Sequence, residues 1–377
     1  MIRRLPLLIV FLLPVFVLGQ ELQDAIQKFK GFKTLHYIDH VQFTDIFSQE
    51  INMDTINGYF DYSSKDSLVQ VKMPRYEVWR DSEKLISIQV PYKTYAIKEP
   101  SYLSPTIWNS LPNLMIKLEK ELKMAKEVKL ERDSVLDGIS YKSYLITVFD
   151  SLDREKRVLK QLKILLDKNS SLPVFIRMES EGFLDESDLH VTYSEEHDIR
   201  KISFDQQNFP DLKRLQVPSD FSLEVKKDIK PLLEKGTAVP KLRFMDHSGK
   251  PIDIKNMKGK LILLNVSWVG CPHCMLSIEM LNKVNEKYTS DQLSIVSIYP
   301  LDKREDVKKM NERFGVKYAS YPNSSETSKD LEAFHISAYP VFYLIDKQGT
   351  IIKGFAGYSS DIRREIEELM EKNIRTR

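Results

Sequence analysis

Two stretches of the chain, residues 34–97 and 141–193, alternate apolar with polar residues in short runs rich in aromatic and β-branched side chains. The run Leu85-Ile-Ser-Ile-Gln-Val90 is an example. A period of two is typical of β-strands that bury one face. Between the two stretches, Ser104 to Lys126 repeats apolar residues with helical spacing. We therefore expect an N-terminal α+β domain over residues 20–208, in which a large, mostly antiparallel sheet curls into a half-barrel around one or two helices.

The pattern changes near residue 236, where buried strands begin to alternate with helices. Leu261 to Val266 is apolar except for Asn265, as expected of a central strand that is covered on both faces. A helix is predicted next, from about Pro272 to Tyr288. Strands that alternate with helices and end in a hairpin predict a C-terminal α/β domain over residues 236–377.

The segment between the two predicted domains, residues 209–235, has a weaker pattern and contains Pro210, Pro218 and Pro231. Clustered prolines outside regular periodicity are typical of connecting segments. We expect a linker here, with a short charged helix from Leu223 to Glu234.

The first 19 residues have the pattern of a secretory leader peptide. The pair Arg3-Arg4 precedes an apolar stretch from Leu5 to Leu18, and Val17-Leu-Gly19 supplies a small-residue cleavage site. Gln20 stands where a bacterial lipoprotein would need cysteine. We therefore expect an exported, periplasmic protein without a lipid anchor or a transmembrane segment in the mature chain.

Composition adds two constraints. A chain of 377 residues is long enough for two domains, and a net charge of +2 gives no indication of nucleic-acid binding. The protein has two cysteines, Cys271 and Cys274, at the predicted start of the helix that follows the central strand. An oxidising compartment suits such a pair, because no other thiol is available for mispairing.

Three interpretations compete for this Cys-x-x-Cys pair. Structural zinc usually requires four Cys or His ligands, and no second pair is present. A purely structural disulfide across so short a loop would restrain little unfolded-chain entropy. A redox-active dithiol is favoured, because the free N–H groups and the dipole of a helix N-terminus stabilise the thiolate of Cys271.

Residues 236–373 resemble the thioredoxin-like domain of the TlpA/ResA-like thiol-disulfide oxidoreductases. The resemblance rests on Gly236-x-x-x-Pro240, the Gly259-Lys strand that ends in Asn265, Cys271-x-x-Cys274, and Tyr339-Pro340 before a strand ending in Ile345-Asp-x-x-Gly349. It implies that Cys271 attacks and Cys274 resolves. It also implies that Pro340 is a cis-proline facing the dithiol, with Tyr339 free to pair with an extended substrate. Asn265 matches a buried position that holds a carboxylate in thioredoxin itself.

The chain departs from this family next to the dithiol. The family usually has Trp directly before the first cysteine, where this chain has Gly270, while Trp268 lies three positions before Cys271. Trp268 either covers the disulfide or packs into the core. The dipeptide between the cysteines, Pro272-His273, is the one found in the oxidant DsbA. His273 either stabilises the thiolate or faces solvent.

Residues 25–205 resemble the open half-barrel of LolA-like lipoprotein-carrier domains. The resemblance rests on strand order and on short patterns such as Gly58-Tyr-Phe and Leu172-Pro-Val-Phe. It implies space for an acyl chain or another apolar ligand, whereas the alternative is that the aromatic side chains fill the barrel. His36 and His40 lie in strand-like sequence and do not predict a metal pair.

The leading hypothesis is an exported thiol-disulfide oxidoreductase that exchanges disulfides with protein substrates and a redox partner, and needs no metal or organic cofactor beyond the Cys271–Cys274 disulfide. A thiol peroxidase is the second hypothesis, although it would need Thr or Ser at the position of Trp268. The third is an apolar-ligand or lipid-binding protein with an accessory redox domain.

Overall fold

The computed structural model describes residues 13–47, 49–63, 67–102, 104–184, 189–206, 209–225, 230–245, 250–257, 259–322 and 325–375. The leader peptide predicted over residues 1–19 therefore lies largely outside the described residues. Only the backbone of residues 13–19 is described, as the beginning of the first helix. Within the described part of the chain, no helix is both long enough and apolar enough to cross a membrane.

The helices are α1 (Leu13–Lys28), α2 (Pro105–Trp108), α3 (Leu111–Met124), α4 (Pro272–Lys287), α5 (Arg304–Phe314), α6 (Ser325–Leu331) and α7 (Ser360–Arg375). The strands are β1 (Thr34–Thr44), β2 (Ile51–Asp61), β3 (Leu68–Lys72), β4 (Tyr76–Arg80), β5 (Leu85–Gln89), β6 (Thr94–Lys98), β7 (Glu127–Leu130), β8 (Ser134–Leu136), β9 (Ile139–Asp153), β10 (Lys156–Leu166), β11 (Pro173–Phe183), β12 (His190–Phe204), β13 (Ser222–Leu223), β14 (Arg243–Met245), β15 (Pro251–Asp253), β16 (Leu261–Val266), β17 (Leu293–Tyr299), β18 (Ala319–Pro322), β19 (Val341–Ile345) and β20 (Ile351–Ala356).

The chain divides into two compact units. The first comprises Met1–Thr44, Glu50–Gly182 and His190–Lys226. The second comprises Lys227–Arg377 together with two short segments from earlier in the chain, Asp45–Gln49 and Phe183–Leu189. The sequence pattern did not indicate that these two segments belong with the C-terminal residues.

The first unit is built on a 13-stranded sheet of order β13-β6-β5-β4-β3-β2-β1-β12-β11-β10-β9-β7, with β8 also paired to β9. The ladders from β6 to β1, between β1 and β12, and between β9, β10 and β11 are antiparallel, whereas β13 and β6 are parallel. Helices α1 and α3 bury apolar stripes in the same core as this sheet. Leu22 and Ile26 come from α1, and Leu111 and Met115 from α3.

The helix predicted from Leu223 to Glu234 is wrong for the residues described in that range. Ser222–Leu223 forms β13, and residues 224–225 and 230–234 are not helical. Two physical reasons apply. Leu223 and Val225 are exposed, so the described beginning of this segment buries no apolar side chain, and Pro231 cannot donate a helical hydrogen bond.

The second unit contains a five-stranded sheet of order β18-β17-β16-β19-β20. Strands β16, β17 and β18 are parallel, β19 is antiparallel to β16, and β20 is antiparallel to β19. Alternate side chains of the central strand β16 pack into two different apolar cores. Leu261 and Leu263 pack with apolar residues of α4 and α7, whereas Ile262, Leu264 and Val266 pack with the β14–β15 hairpin and Phe334. This is a thioredoxin-like arrangement, with the buried strand β16 leading directly to the cysteines.

Candidate active site

The two cysteines lie where β16 ends and α4 begins. Gly270 has a φ of 99°, a left-handed conformation that glycine adopts without a steric penalty. A tryptophan could not take this backbone conformation without strain, which explains the departure from the family pattern directly before Cys271. Cys271 is the N-cap of α4, and Pro272 follows at the first helical position.

Cys271 and Cys274 are joined by a disulfide, with their Cα atoms 5.2 Å apart. The Cys274 backbone N–H donates to Cys271 Sγ over 3.2 Å, and the Met275 N–H donates to the Cys271 carbonyl over 3.0 Å. One first-turn donor of α4, the Cys274 N–H, thus points at the sulfur that the sequence identified as the nucleophile. In the reduced state, the same donor and the helix dipole would stabilise a thiolate there.

A cis peptide bond joins Tyr339 to Pro340, which confirms the predicted cis-proline. The Tyr339 carbonyl oxygen lies 3.6 Å from Cys271 Sγ. Pro340 is buried and Tyr339 is half-buried. A backbone carbonyl and a disulfide sulfur are therefore adjacent, as required if an extended substrate segment is to lie along residue 339.

Asn265 is buried in the central strand, with 0% of its surface exposed. Its Nδ2 donates to Ser297 Oγ over 2.9 Å, and its Oδ1 has no hydrogen-bond partner among the described residues. Asn265 has the same strand parity as Leu261 and Leu263, whose side chains pack with α4. This neutral amide cannot take up a proton as a carboxylate in that place would.

Three candidate residues next to the cysteines face outward. Pro272 and His273 are exposed, so His273 is a solvent-facing side chain at the N-terminus of α4. Trp268 is 44% exposed, and the alternative that it packs into the core is therefore wrong. The Trp268 carbonyl accepts a hydrogen bond from the Cys271 N–H over 3.3 Å. Residue 268 thus contributes backbone to the turn while its indole remains largely in solvent.

A carboxylate that the sequence analysis did not select, Asp302, lies in the same site. It is buried, and its Oδ2 accepts a hydrogen bond from the Val269 N–H over 3.0 Å. Burial raises the pKa of Asp302, the Val269 N–H opposes this rise, and the neighbouring Asp306 adds to it. Burial also raises the pKa of Tyr339, with a further contribution from Asp302. One signal could have identified Asp302: it follows β17, and parallel strands bring their carboxyl ends to one edge of a sheet.

Cys271 is only 7% exposed, although it lies at the beginning of the helix. Phe47, from the Asp45–Gln49 segment, packs in the same apolar cluster as both cysteines and is 3% exposed. No local pattern around Phe47 indicates this contact, because the two residues are 224 positions apart in the sequence.

The remaining histidines weighed in the sequence lie in other surroundings. His36 contacts Asn57 through Nε2 at 3.0 Å, and His40 contacts Thr55 through Nδ1 at 3.0 Å. His335 contacts the Pro231 carbonyl through Nδ1 at 2.8 Å. Each histidine has its own polar partner outside the dithiol site.

The second unit is similar in sequence to known thiol-disulfide oxidoreductases and thioredoxin-like proteins. Residues 234–370 match the Redoxin family profile. The thiol-disulfide oxidoreductase ResA of Bacillus anthracis is 23% identical over 143 residues, which are 38% of this chain and 80% of that protein. The thioredoxin-like protein YneN of Bacillus subtilis (strain 168) is 20% identical over 139 residues, 37% of this chain and 80% of that protein.

Solved structures of similar proteins include a thiol:disulfide interchange protein from Bacteroides sp., with 22% identity and a TM-score of 0.34 over 37% of this chain and 91% of that chain. Another is a thiol:disulfide interchange protein of the thioredoxin family from Chlorobium tepidum TLS, with 20% identity and a TM-score of 0.33 over 38% of this chain and 99% of that chain. The LolA-like resemblance of residues 25–205 stays a prediction.

Proposed function

Because its C-terminal region is a thioredoxin-like disulfide oxidoreductase domain of the redoxin type, we propose that this protein is an exported enzyme that exchanges disulfides with protein substrates through Cys271 and Cys274. One observation carries the proposal. The Cys271–Cys274 disulfide lies at the N-terminus of α4, beside the carbonyl of the residue before cis-Pro340. Export is supported by the leader-like pattern of residues 1–19.

The proposed reaction is reversible. In the reductive direction, the Cys271 thiolate attacks one sulfur of a substrate disulfide and the other substrate sulfur leaves as a thiolate, which takes up a proton. Cys274 loses its proton, attacks Cys271 in the mixed disulfide and releases the second substrate thiol. The substrate gains two electrons and two protons, and the Cys271–Cys274 disulfide forms. A redox partner that supplies two electrons returns the protein to its dithiol form.

The surrounding residues have separate roles in this proposal. The first turn of α4 stabilises the Cys271 thiolate, and the exposed His273 side chain can add a hydrogen bond. The half-buried Tyr339 beside Pro340 pairs with the substrate backbone. Trp268 offers an exposed aromatic surface to the partner. Asn265 leaves the region beneath the resolving cysteine without a local proton acceptor, so proton transfer there depends on other groups.

A trapping experiment tests the proposal. Cys274→Ser should accumulate a mixed disulfide with a substrate such as insulin, because Cys271 can attack but nothing resolves the product. Cys271→Ser should form none, and Ser277→Ala on the same helix should behave like wild type. Mass spectrometry of acid-quenched samples provides the measurement. Equal trapping by both cysteine variants, or faster oxidation of the dithiol by hydrogen peroxide than by a protein disulfide, would reject the proposal in favour of a different thiol chemistry.

A further inference from the structure

An apolar pocket lies beside the dithiol, and it is already occupied. Its buried lining comes from α4, α5 and the end of β17: Met275, Ile278, Tyr299, Val307 and Met310. Phe47 belongs to this cluster together with Cys271 and Cys274. The Phe47 ring centroid lies 6.3 Å from that of Phe314. The aromatic side chain is therefore part of the same buried apolar cluster as the reactive disulfide.

The Arg313 side chain of α5 binds the backbone of the Asp45–Gln49 segment. The Arg313 guanidinium donates to the carbonyl of Phe47 and, over 2.9 Å, to that of Ile46. The segment also contains internal hydrogen bonds. The Phe47 N–H donates to Asp45 Oδ1 over 2.9 Å, and the Gln49 N–H donates to the Asp45 carbonyl over 2.8 Å. Two backbone carbonyls on a short turn are groups that any polypeptide could offer to Arg313.

This arrangement conflicts with disulfide exchange. A substrate sulfur must approach Cys271 Sγ directly, yet Cys271 is 7% exposed while Phe47 is in place. The contacts that hold Phe47 are apolar packing and hydrogen bonds, so the segment can leave without any covalent change. The same contacts are available to a substrate, since the pocket takes an aromatic side chain and Arg313 takes backbone carbonyls.

We propose that Phe47 occupies a substrate subsite: the pocket binds an aromatic side chain close to the reacting cysteine of a protein substrate, and the Asp45–Gln49 segment must leave before that substrate enters. The inference rests on the proposed function and adds a substrate class to it. Preferred substrates carry an aromatic residue near the cysteine on an extended segment. The open form is a minor population, so the observed rate is the intrinsic rate reduced by the open fraction.

The test uses the full-length protein, reduced beforehand, in single-turnover reactions. Two peptides differ only in having Phe or Gly two positions from their one cysteine, which forms a mixed disulfide with glutathione. Each turnover converts one mixed disulfide and one dithiol into the peptide thiol, glutathione and the Cys271–Cys274 disulfide. Chromatography of quenched samples gives the rate constant. The variants are Phe47→Ala and, as an aromatic deletion at an exposed position in β9 of the first unit, Phe149→Ala.

We expect Phe47→Ala to raise the rate constants for both peptides by about tenfold. This is equivalent to a loss of ~1.4 kcal/mol in the free energy that favours the closed form over the open form. Phe149→Ala should leave them unchanged. The Phe peptide should react faster than the Gly peptide with wild type and with Phe47→Ala alike, because the subsite itself is retained. Arg313→Ala provides a second route to the open form that spares the core, but it also removes a contact to the substrate backbone, so it should accelerate the reaction less than Phe47→Ala.

Several outcomes would overturn the inference. If Phe47→Ala and Arg313→Ala both retain the wild-type thermal midpoint and the wild-type rate, the segment does not restrict access. Equal rates for the Phe and Gly peptides would exclude an aromatic subsite. A wild-type protein that reacts with neither peptide nor with insulin would instead contradict the proposed function, so the two failures are distinguishable.

Discussion

Replacing Asn265 by aspartate should place a carboxylate in the buried position that is neutral in this chain. The side chain lies in the central strand with 0% exposure, and Ser297 Oγ is its one hydrogen-bond partner within the described structure. Asn265→Asp changes almost no volume, so packing should be preserved. The main effect should therefore be the cost of burying a charge.

The magnitude follows from the burial. A fully buried carboxyl has a pKa raised by 3–5 units, and a hydrogen bond from Ser297 reduces this, so we take about 3 units. With an unfolded pKa of about 3.9, the folded pKa would be near ~7. The folded pKa is the higher one, so the penalty is absent below about pH 3.9 and grows until the pH passes ~7. The expected loss of unfolding free energy is about 1 kcal/mol at pH 4.5 and about 4 kcal/mol at pH 7.5.

Urea denaturation at these two pH values, with wild type measured in parallel, tests the calculation. Asn265→Ala is the control, because it loses the hydrogen bond to Ser297 without adding a charge, and its penalty should not depend on pH. If Asn265→Asp costs the same at both pH values, the new carboxylate stays ionised in the folded protein. The position would then be accessible to water or to a cation, and our account of a dry, neutral region beneath the cysteines would be wrong.

Two further predictions concern buried charges. Burial disfavours the His197 imidazolium, but Asp39 at 2.7 Å and Glu195 at 3.4 Å outweigh it and raise the pKa of His197 to about 9. This network should stabilise the protein by about 3 kcal/mol below pH 6.5, and that contribution should be lost as the pH rises through about 9. In urea unfolding, the difference in unfolding free energy between wild type and His197→Gln should therefore shrink between pH 6 and 9.5. Asp302→Asn should lower the pKa of the Cys271 thiol by about one unit and make the protein more oxidising, because an ionised carboxylate nearby disfavours the thiolate. The pH dependence of iodoacetamide reactivity measures the thiol pKa, and equilibration with glutathione measures the midpoint potential. An unchanged thiol pKa would show that Asp302 does not influence Cys271.

The structure around the dithiol could be predicted where it depends on residues that are close together in the sequence. An apolar run that ends in a glycine, followed by Cys-Pro-His-Cys, predicts a strand, a turn and a helix. The structure forms β16 at Leu261–Val266 and α4 at Pro272–Lys287. The cis bond before Pro340 followed from the resemblance to a family whose motif spans the two sides of the site. Each of these features depends on neighbouring residues or on a recognised pattern.

Contacts between distant parts of the chain were not predictable in the same way. In the sequence, Phe47 is an apolar residue between two strands with no distinguishing pattern. Its burial in the cluster of Cys271 depends on tertiary packing. Asp302 reads as a solvated loop residue, because nothing nearby in the sequence shows that its carboxylate will be buried against the Val269 N–H. The predicted helix from Leu223 to Glu234 is wrong for a related reason, because Leu223 pairs with the distant strand β6 and Pro231 cannot donate a helical hydrogen bond.

The charges near the dithiol act in opposite directions, and their balance decides which way electrons flow. We expect the N-terminus of α4 to favour the Cys271 thiolate, which would stabilise the reduced form and make the protein more oxidising. Asp302 opposes this when it is ionised, and its raised pKa means that the opposition strengthens as the pH rises. Asn265 contributes no charge. If Asp302→Asn lowers the pKa of the Cys271 thiol as we expect, the buried carboxylate and not the Cys-Pro-His-Cys sequence alone sets how oxidising the protein is.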